Sequence, residues 1–248
     1  MIEITRPTDG LTVVALNRPQ RRNALDDAAM AGLRDAFVAA AGEPGLRCLV
    51  LKGTGGVFSA GRDLKQAADL DADAALAQHA AWGEAFQALR RLPAPSVAVV
   101  EGAAVAGGFT LAMATDFLIA ERGAKFGALE MANGFPAAMC TPVLAKKAPA
   151  RIGLELAMFG AVETAERLHA AGLVNRIADG AEGLAAAERA FVDHILSLDP
   201  LAVRQTLAAY RAAEAQPLEQ ALNAGITLNQ LIEASGRFRQ GGARFAGS

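Results

Sequence analysis

Apolar residues fall along this chain in two rhythms, short unbroken runs and stripes at helical spacing. The runs occupy residues 12–16 (TVVAL), 47–52 (RCLVLK), 97–100 (VAVV) and 117–120 (FLIA). Each is too short for a helix and is bounded by turn residues or a change of pattern, so each predicts a strand covered on both faces. Residues 2–4 predict a further strand, joined to 12–16 by the turn Pro7-Thr8-Asp9-Gly10. Shorter strands are predicted over 125–127 and 174–177. Helices are predicted over 26–41, 72–92, 109–115, 141–147, 152–159 and 164–171. Leu33, Phe37 and Ala40 form the inner stripe of the first, Asp26 or Asp27 suits its start, and Gly42 to Gly45 stop it. From about residue 183 only helices follow, over 184–198, 201–213 and 218–235. Strands alternating with helices imply an α/β fold with a largely parallel sheet. The shift near 190 divides the chain into a β/α core, residues 1–190, and a helical region, residues 191–248.

Composition narrows the function classes. Hydrophobic residues make up 52% of 248, enough for a large core. A net charge of −2, with no run of like charges, argues against a nucleic-acid surface. No apolar run approaches the roughly 20 residues of a membrane span, and no charged-then-apolar leader is seen. Cys48 and Cys140 lack disulfide or metal spacing, which fits a reducing compartment, with the cytoplasm as the expected location. No two of the three histidines stand at ligand spacing, so no metal site is expected.

Two glycine-rich turns follow strand ends, residues 53–64 (GTGGVFSAGRDL) and residues 102–108 (GAAVAGG). Neither fits a nucleotide loop. Gly102 and Gly107 have the spacing of a phosphate loop, but Gly108 and Phe109 stand where Lys and Ser/Thr are needed. Gly53-Thr54-Gly55 is followed by Phe58 where a dinucleotide fingerprint has its third glycine. What remains is a strand, bare backbone N–H groups and a helix N-terminus, an arrangement that favours negative charge.

These stretches carry a family resemblance. Residues 17–25 (NRPQRRNAL) and 58–64 (FSAGRDL) resemble the first two signatures of the enoyl-CoA hydratase/isomerase (crotonase) superfamily. Residues 102–108 with 116–120 (DFLIA), then 125–130 (KFGALE) and 170–175 (AAGLVN), resemble the next three, in order. The resemblance implies a spiral of ββα turns with a C-terminal helical region for trimer packing, as a homotrimer or a dimer of trimers. It implies an acyl-CoA thioester as substrate and no separate cofactor. It also implies that the backbone N–H groups of Arg62 and Gly107 hold the thioester oxygen. Substrate contacts would come from Arg22, Ala24, Ala60, Arg62, Asp63, Leu64, Gly107 and Phe135; Arg18, Arg21, Arg22 and Lys65 are candidates for the phosphates of coenzyme A, and Arg237, Arg239 and Arg244 of the tail for the nucleotide of a neighbouring subunit.

The hydratases of the superfamily use two glutamates. Glu130 matches the second; at the first, two residues after Gly108, this chain has Thr110. A glutamate among Phe126, Leu129, Met131 and Phe135 should be partly desolvated, with its pKa raised toward a range useful for proton transfer. One carboxyl group can move a proton between two carbons, the logic of a double-bond isomerase. It can also support hydration if Thr110 orients water, although a hydroxyl is no general base. The expected function is an enoyl-CoA hydratase-type lyase, with the isomerase and a non-catalytic acyl-CoA-binding homologue as alternatives. Residues 131–154 contain no Asp or Glu, which weakens dehalogenase-like or hydrolytic chemistry. Asp63 is expected to fix its loop and Asp116 to be structural.

Overall fold

The computed structural model describes residues 1–63 and 72–236. The chain forms two compact units, Met1–Pro200 and Leu201–Ser248. In the first, β1 (Ile2–Thr8) pairs antiparallel with β2 (Leu11–Leu16), and β3 (Cys48–Gly53), β4 (Ser96–Val100), β6 (Phe117–Glu121) and β9 (Arg176–Ala178) continue the sheet in parallel. A second sheet contains β5 (Ala103–Val105), β7 (Lys125–Gly127) and the short β8 (Glu163–Thr164). The pairs β4–β5 and β6–β7 each place one strand in the large sheet and the next in the small one. This is the ββα spiral.

Both faces of the large sheet are covered, which is why its strands read as continuous apolar runs. Leu49, Leu51, Ala98, Val100, Leu118 and Ala120 point into the main core with Met30, Leu33 and Phe37 of α1 (Asp27–Ala41) and Ala85 and Leu89 of α2 (Ala72–Arg90). Their alternates Cys48, Val50, Val97, Val99 and Ile119 meet Leu184, Val192 and Ile195 of α7 (Gly180–Ser197). Between these lie α3 (Gly107–Ala114), α4 (Cys140–Lys147), α5 (Ala150–Phe159) and α6 (Ala165–Ala170). In the second unit α8 (Pro200–Ala213) and α9 (Leu218–Ala234) contribute no buried residue among those described.

The expected elements are present, with instructive differences. β5 and β8 were not anticipated: at three and two residues they have no measurable alternation, and only pairing with β7 defines them. The first strand runs through Pro7 to Thr8, which an edge position tolerates. The strand expected over 174–177 is instead residues 176–178, preceded by Asn175, whose N–H donates to the Leu118 carbonyl of β6 and whose Oδ1 accepts from the Leu118 amide. Asp116 is structural as expected, with Oδ2 accepting from the amide and hydroxyl of Ser96 at 2.9 and 2.7 Å.

Candidate active site

Three neighbouring backbone segments run side by side, and each leads into one of the residues expected at the site. Ser59 forms a parallel bridge to Ala104, while Ala104 and Val105 pair with Phe126 and Gly127. Arg62, Gly107 and Glu130 lie two or three residues past Ser59, Val105 and Gly127 respectively. A bond from the Ala106 amide to the Gly127 carbonyl, 2.7 Å, fastens the second segment to the third. Ala106 itself sits at φ 49°, ψ −127°, a costly conformation for a residue with a side chain, and this sharp corner starts α3 at Gly107. The Gly107 amide is then a first-turn donor without an intrahelical acceptor.

The Arg62 amide lies close to Gly107. In the parallel bridge between Leu25 and Arg62, Leu25 donates to the Gly61 carbonyl and accepts from the Asp63 amide, each at 2.8 Å. That pattern turns the intervening N–H of Arg62 away from the bridge. The closeness is measurable: a Cβ built on Gly107 would lie 3.5 Å from the Arg62 nitrogen. It would also lie 2.8 and 2.9 Å from Cζ3 and Cη2 of Trp82, whose ring closes over Gly107. Glycine is required there by space rather than by φ.

A dense polar lattice fixes this loop. Ser59 Oγ donates to the Asn23 carbonyl (2.8 Å) and accepts from the Gly61 amide (3.1 Å). Buried Asn23 accepts from the Arg18 amide and donates to the Thr54 and Val57 carbonyls. Arg18 Nη1 bridges Asp26 and Asp63 at 2.9 and 3.0 Å. Arg18 thus clamps two loops together, and Asp63 is loop-fixing as expected. The roles of Asn23 and Ser59 were missed, because a buried turn residue carries no periodic signal.

Glu130 stands at the start of a single 3-10 turn, residues 131–133, and its side chain caps nothing. Its carbonyl accepts from the Asn133 and Phe135 amides, which fixes the backbone. Its carboxyl group is half-buried, with Oε2 buried and without a hydrogen-bond partner. Desolvation therefore pushes its pKa upward, opposed only by its own amide. Thr110 is buried on α3, its hydroxyl donating weakly to the Ala106 carbonyl at 3.4 Å. The Cys140 thiol lies against that hydroxyl and within the field of Glu130, and burial pushes it up to about 12.

A model of the enoyl-CoA hydratase/isomerase family matches residues 6–247. The chain belongs to the enoyl-CoA hydratase/isomerase family. Enoyl-CoA hydratase EchA19 of Mycobacterium tuberculosis is 30% identical over 238 residues, covering 94% of this chain and 89% of that protein. A carnitinyl-CoA dehydratase of Salmonella typhi is 34% identical over 212 residues, covering 84% and 79%. The crystal structure of an enoyl-CoA hydratase from Polaromonas sp. JS666 superposes with a TM-score of 0.89 at 30% identity, over 99% of this chain and 96% of that one.

Several of the other expected substrate contacts lie in the same loops. Arg22, at φ 49°, and Ala60 are joined by a bond from the Ala60 amide to the Arg22 carbonyl, 2.9 Å, and Ala24 accepts from Arg18 Nη1 at 3.4 Å. Arg22 is exposed, and Phe135 is 43% exposed beside Glu130. Leu64 and Lys65 lie outside the described residues, as do Arg237, Arg239 and Arg244 of the tail. His79 is exposed, and His169 Nδ1 is bonded to the Val174 carbonyl at 2.7 Å.

Proposed function

We propose that the protein hydrates an enoyl-CoA thioester, using the amides of Arg62 and Gly107 as an oxyanion hole and Glu130 as its single acid/base. Glu130 takes a proton from water as the hydroxyl adds to the β-carbon, and the alkene electrons move onto the thioester oxygen. The two amides stabilise that enolate oxygen more than the neutral carbonyl, which is what lowers the barrier. Glu130 then returns its proton to the α-carbon, so water is added across the double bond with no net change in the carboxyl group. One observation carries the reading: two adjacent amides lie at the end of the ladder that also delivers a half-buried carboxyl group with an unpartnered oxygen. Relatives named as a hydratase and a dehydratase support it.

A second reading, double-bond isomerisation by the same Glu130, is favoured by Thr110. It stands where the two-glutamate hydratases have their first carboxyl group, and its hydroxyl is turned back on its own helix. Following the conjugated thioester absorbance with crotonyl-CoA and, separately, with a 3-enoyl-CoA distinguishes the two. Loss of turnover in Glu130→Gln supports either; binding without turnover on both substrates overturns both and leaves an acyl-CoA-binding protein. The exposed apolar stripe Leu218, Leu222 and Ile226 on α9 supports assembly as a trimer or dimer of trimers.

A further inference from the structure

Arg62 has a second asset besides its amide. Its Nε is buried and has no hydrogen-bond partner. The residue is partly buried, and the neighbouring carboxylates are engaged elsewhere, Asp26 and Asp63 both by Arg18. Arg47 Nε is likewise buried without a partner, but its guanidinium is held through Nη2 by the Leu198 carbonyl, whereas Arg6, Arg34, Arg122 and Arg167 sit against carboxylates. A buried guanidinium N–H without an acceptor costs free energy that a bound anion would recover. Glu130 Oε2 is also unpartnered, so the two charged groups do not satisfy each other.

We infer that Arg62 selects an acyl group that carries its own carboxylate, making the preferred substrate a dicarboxylic enoyl-CoA thioester; this rests on the oxyanion-hole reading above. Covalent reach sets the location. Nε lies three bonds past Cβ, hence within about 6 Å of its own amide nitrogen. If that amide holds the thioester oxygen, the guanidinium is within reach of the first few acyl carbons. The diphosphate of coenzyme A lies beyond the pantetheine arm, about four residue-lengths or on the order of 13 Å away. An anion at Arg62 therefore belongs to the acyl end. A planar fork of N–H donors matches a carboxylate, and a straight alkyl chain would leave Nε unpaired.

The test compares non-reactive ligands of equal chain length, glutaryl-CoA and valeryl-CoA, by calorimetric titration, with free coenzyme A as the phosphate control. The wild type should favour glutaryl-CoA by about ten- to a hundredfold. Arg62→Met should abolish or reverse that ratio while free coenzyme A binds as before. Arg62→Lys, which keeps the charge but loses the fork, should fall between and guards against a variant that fails to fold. Equal wild-type affinities, or parallel losses for all three ligands in Arg62→Met, overturn the assignment. The binding ratio is independent of turnover, so loss of the hydratase reading on enoyl-CoA substrates and loss of this one register separately.

Discussion

Gly61→Ala tests the geometry at its tightest point. Gly61 has φ +85°, and a Cβ there would lie 2.7 Å from the Val105 carbonyl oxygen, 2.8 Å from Ala106 Cβ and 2.9 Å from the Gly107 nitrogen. Two of these are backbone atoms, which have no rotamer to escape into. The left-handed conformation costs about 1–2 kcal/mol for a residue with a side chain, and overpacking adds about 1–3 kcal/mol. A stability loss of about 2–5 kcal/mol should appear as a lower urea midpoint with unchanged slope. The methyl group also wedges between the strand that carries the Arg62 amide and the Gly107 amide. If the two act as one hole, spoiling one donor lowers kcat by about 10²–10³. The assay is kcat and KM on crotonyl-CoA or the preferred enoyl-CoA, with folding checked at the assay temperature. A folded Gly61→Ala protein with wild-type kcat would refute the reasoning.

Other consequences are more local. Glu130→Gln should lower kcat by at least about 10² and also change stability in a pH-dependent way. The carboxyl pKa is raised on folding, so its neutral form fits the fold best: wild type and variant should be equally stable below the ordinary value of 4.5, and the variant should gain relative to the wild type as pH rises through the folded value. Paired urea melts across that range check the sign. Thr110→Val, near-isosteric in a buried position, should lower hydration by about tenfold if the hydroxyl orients water and leave isomerisation of a 3-enoyl-CoA intact; equal rates of hydration would remove Thr110 from the reaction. Light scattering should give a mass of three or six chains of 25.6 kDa, and a monomer would refute the assembly.

The sequence was most legible where burial is two-sided or chemistry is backbone-borne. Val97 to Val100 could hardly be other than a central strand, and Gly107 stood out in its glycine-rich turn, where the fold places it against Trp82. The motif order made Glu130 findable, although its desolvation depends on the half-buried setting that the fold supplies. What stayed hidden was set by contacts distant in sequence. Arg18 read as a free cation because Asp63 is 45 residues away. β5 read as a loop because its partner strand had to be in place to define it. The Cys140–Thr110 contact joins two helices, and neither residue announced it.

The most direct measurement is the structure of a complex with a non-reactive acyl-CoA. The account predicts the thioester oxygen at about 2.7–3.2 Å from both the Arg62 and Gly107 nitrogens, with the Glu130 carboxyl group facing the α- and β-carbons. A thioester oxygen bound elsewhere, or Glu130 turned away from the acyl chain, would contradict it.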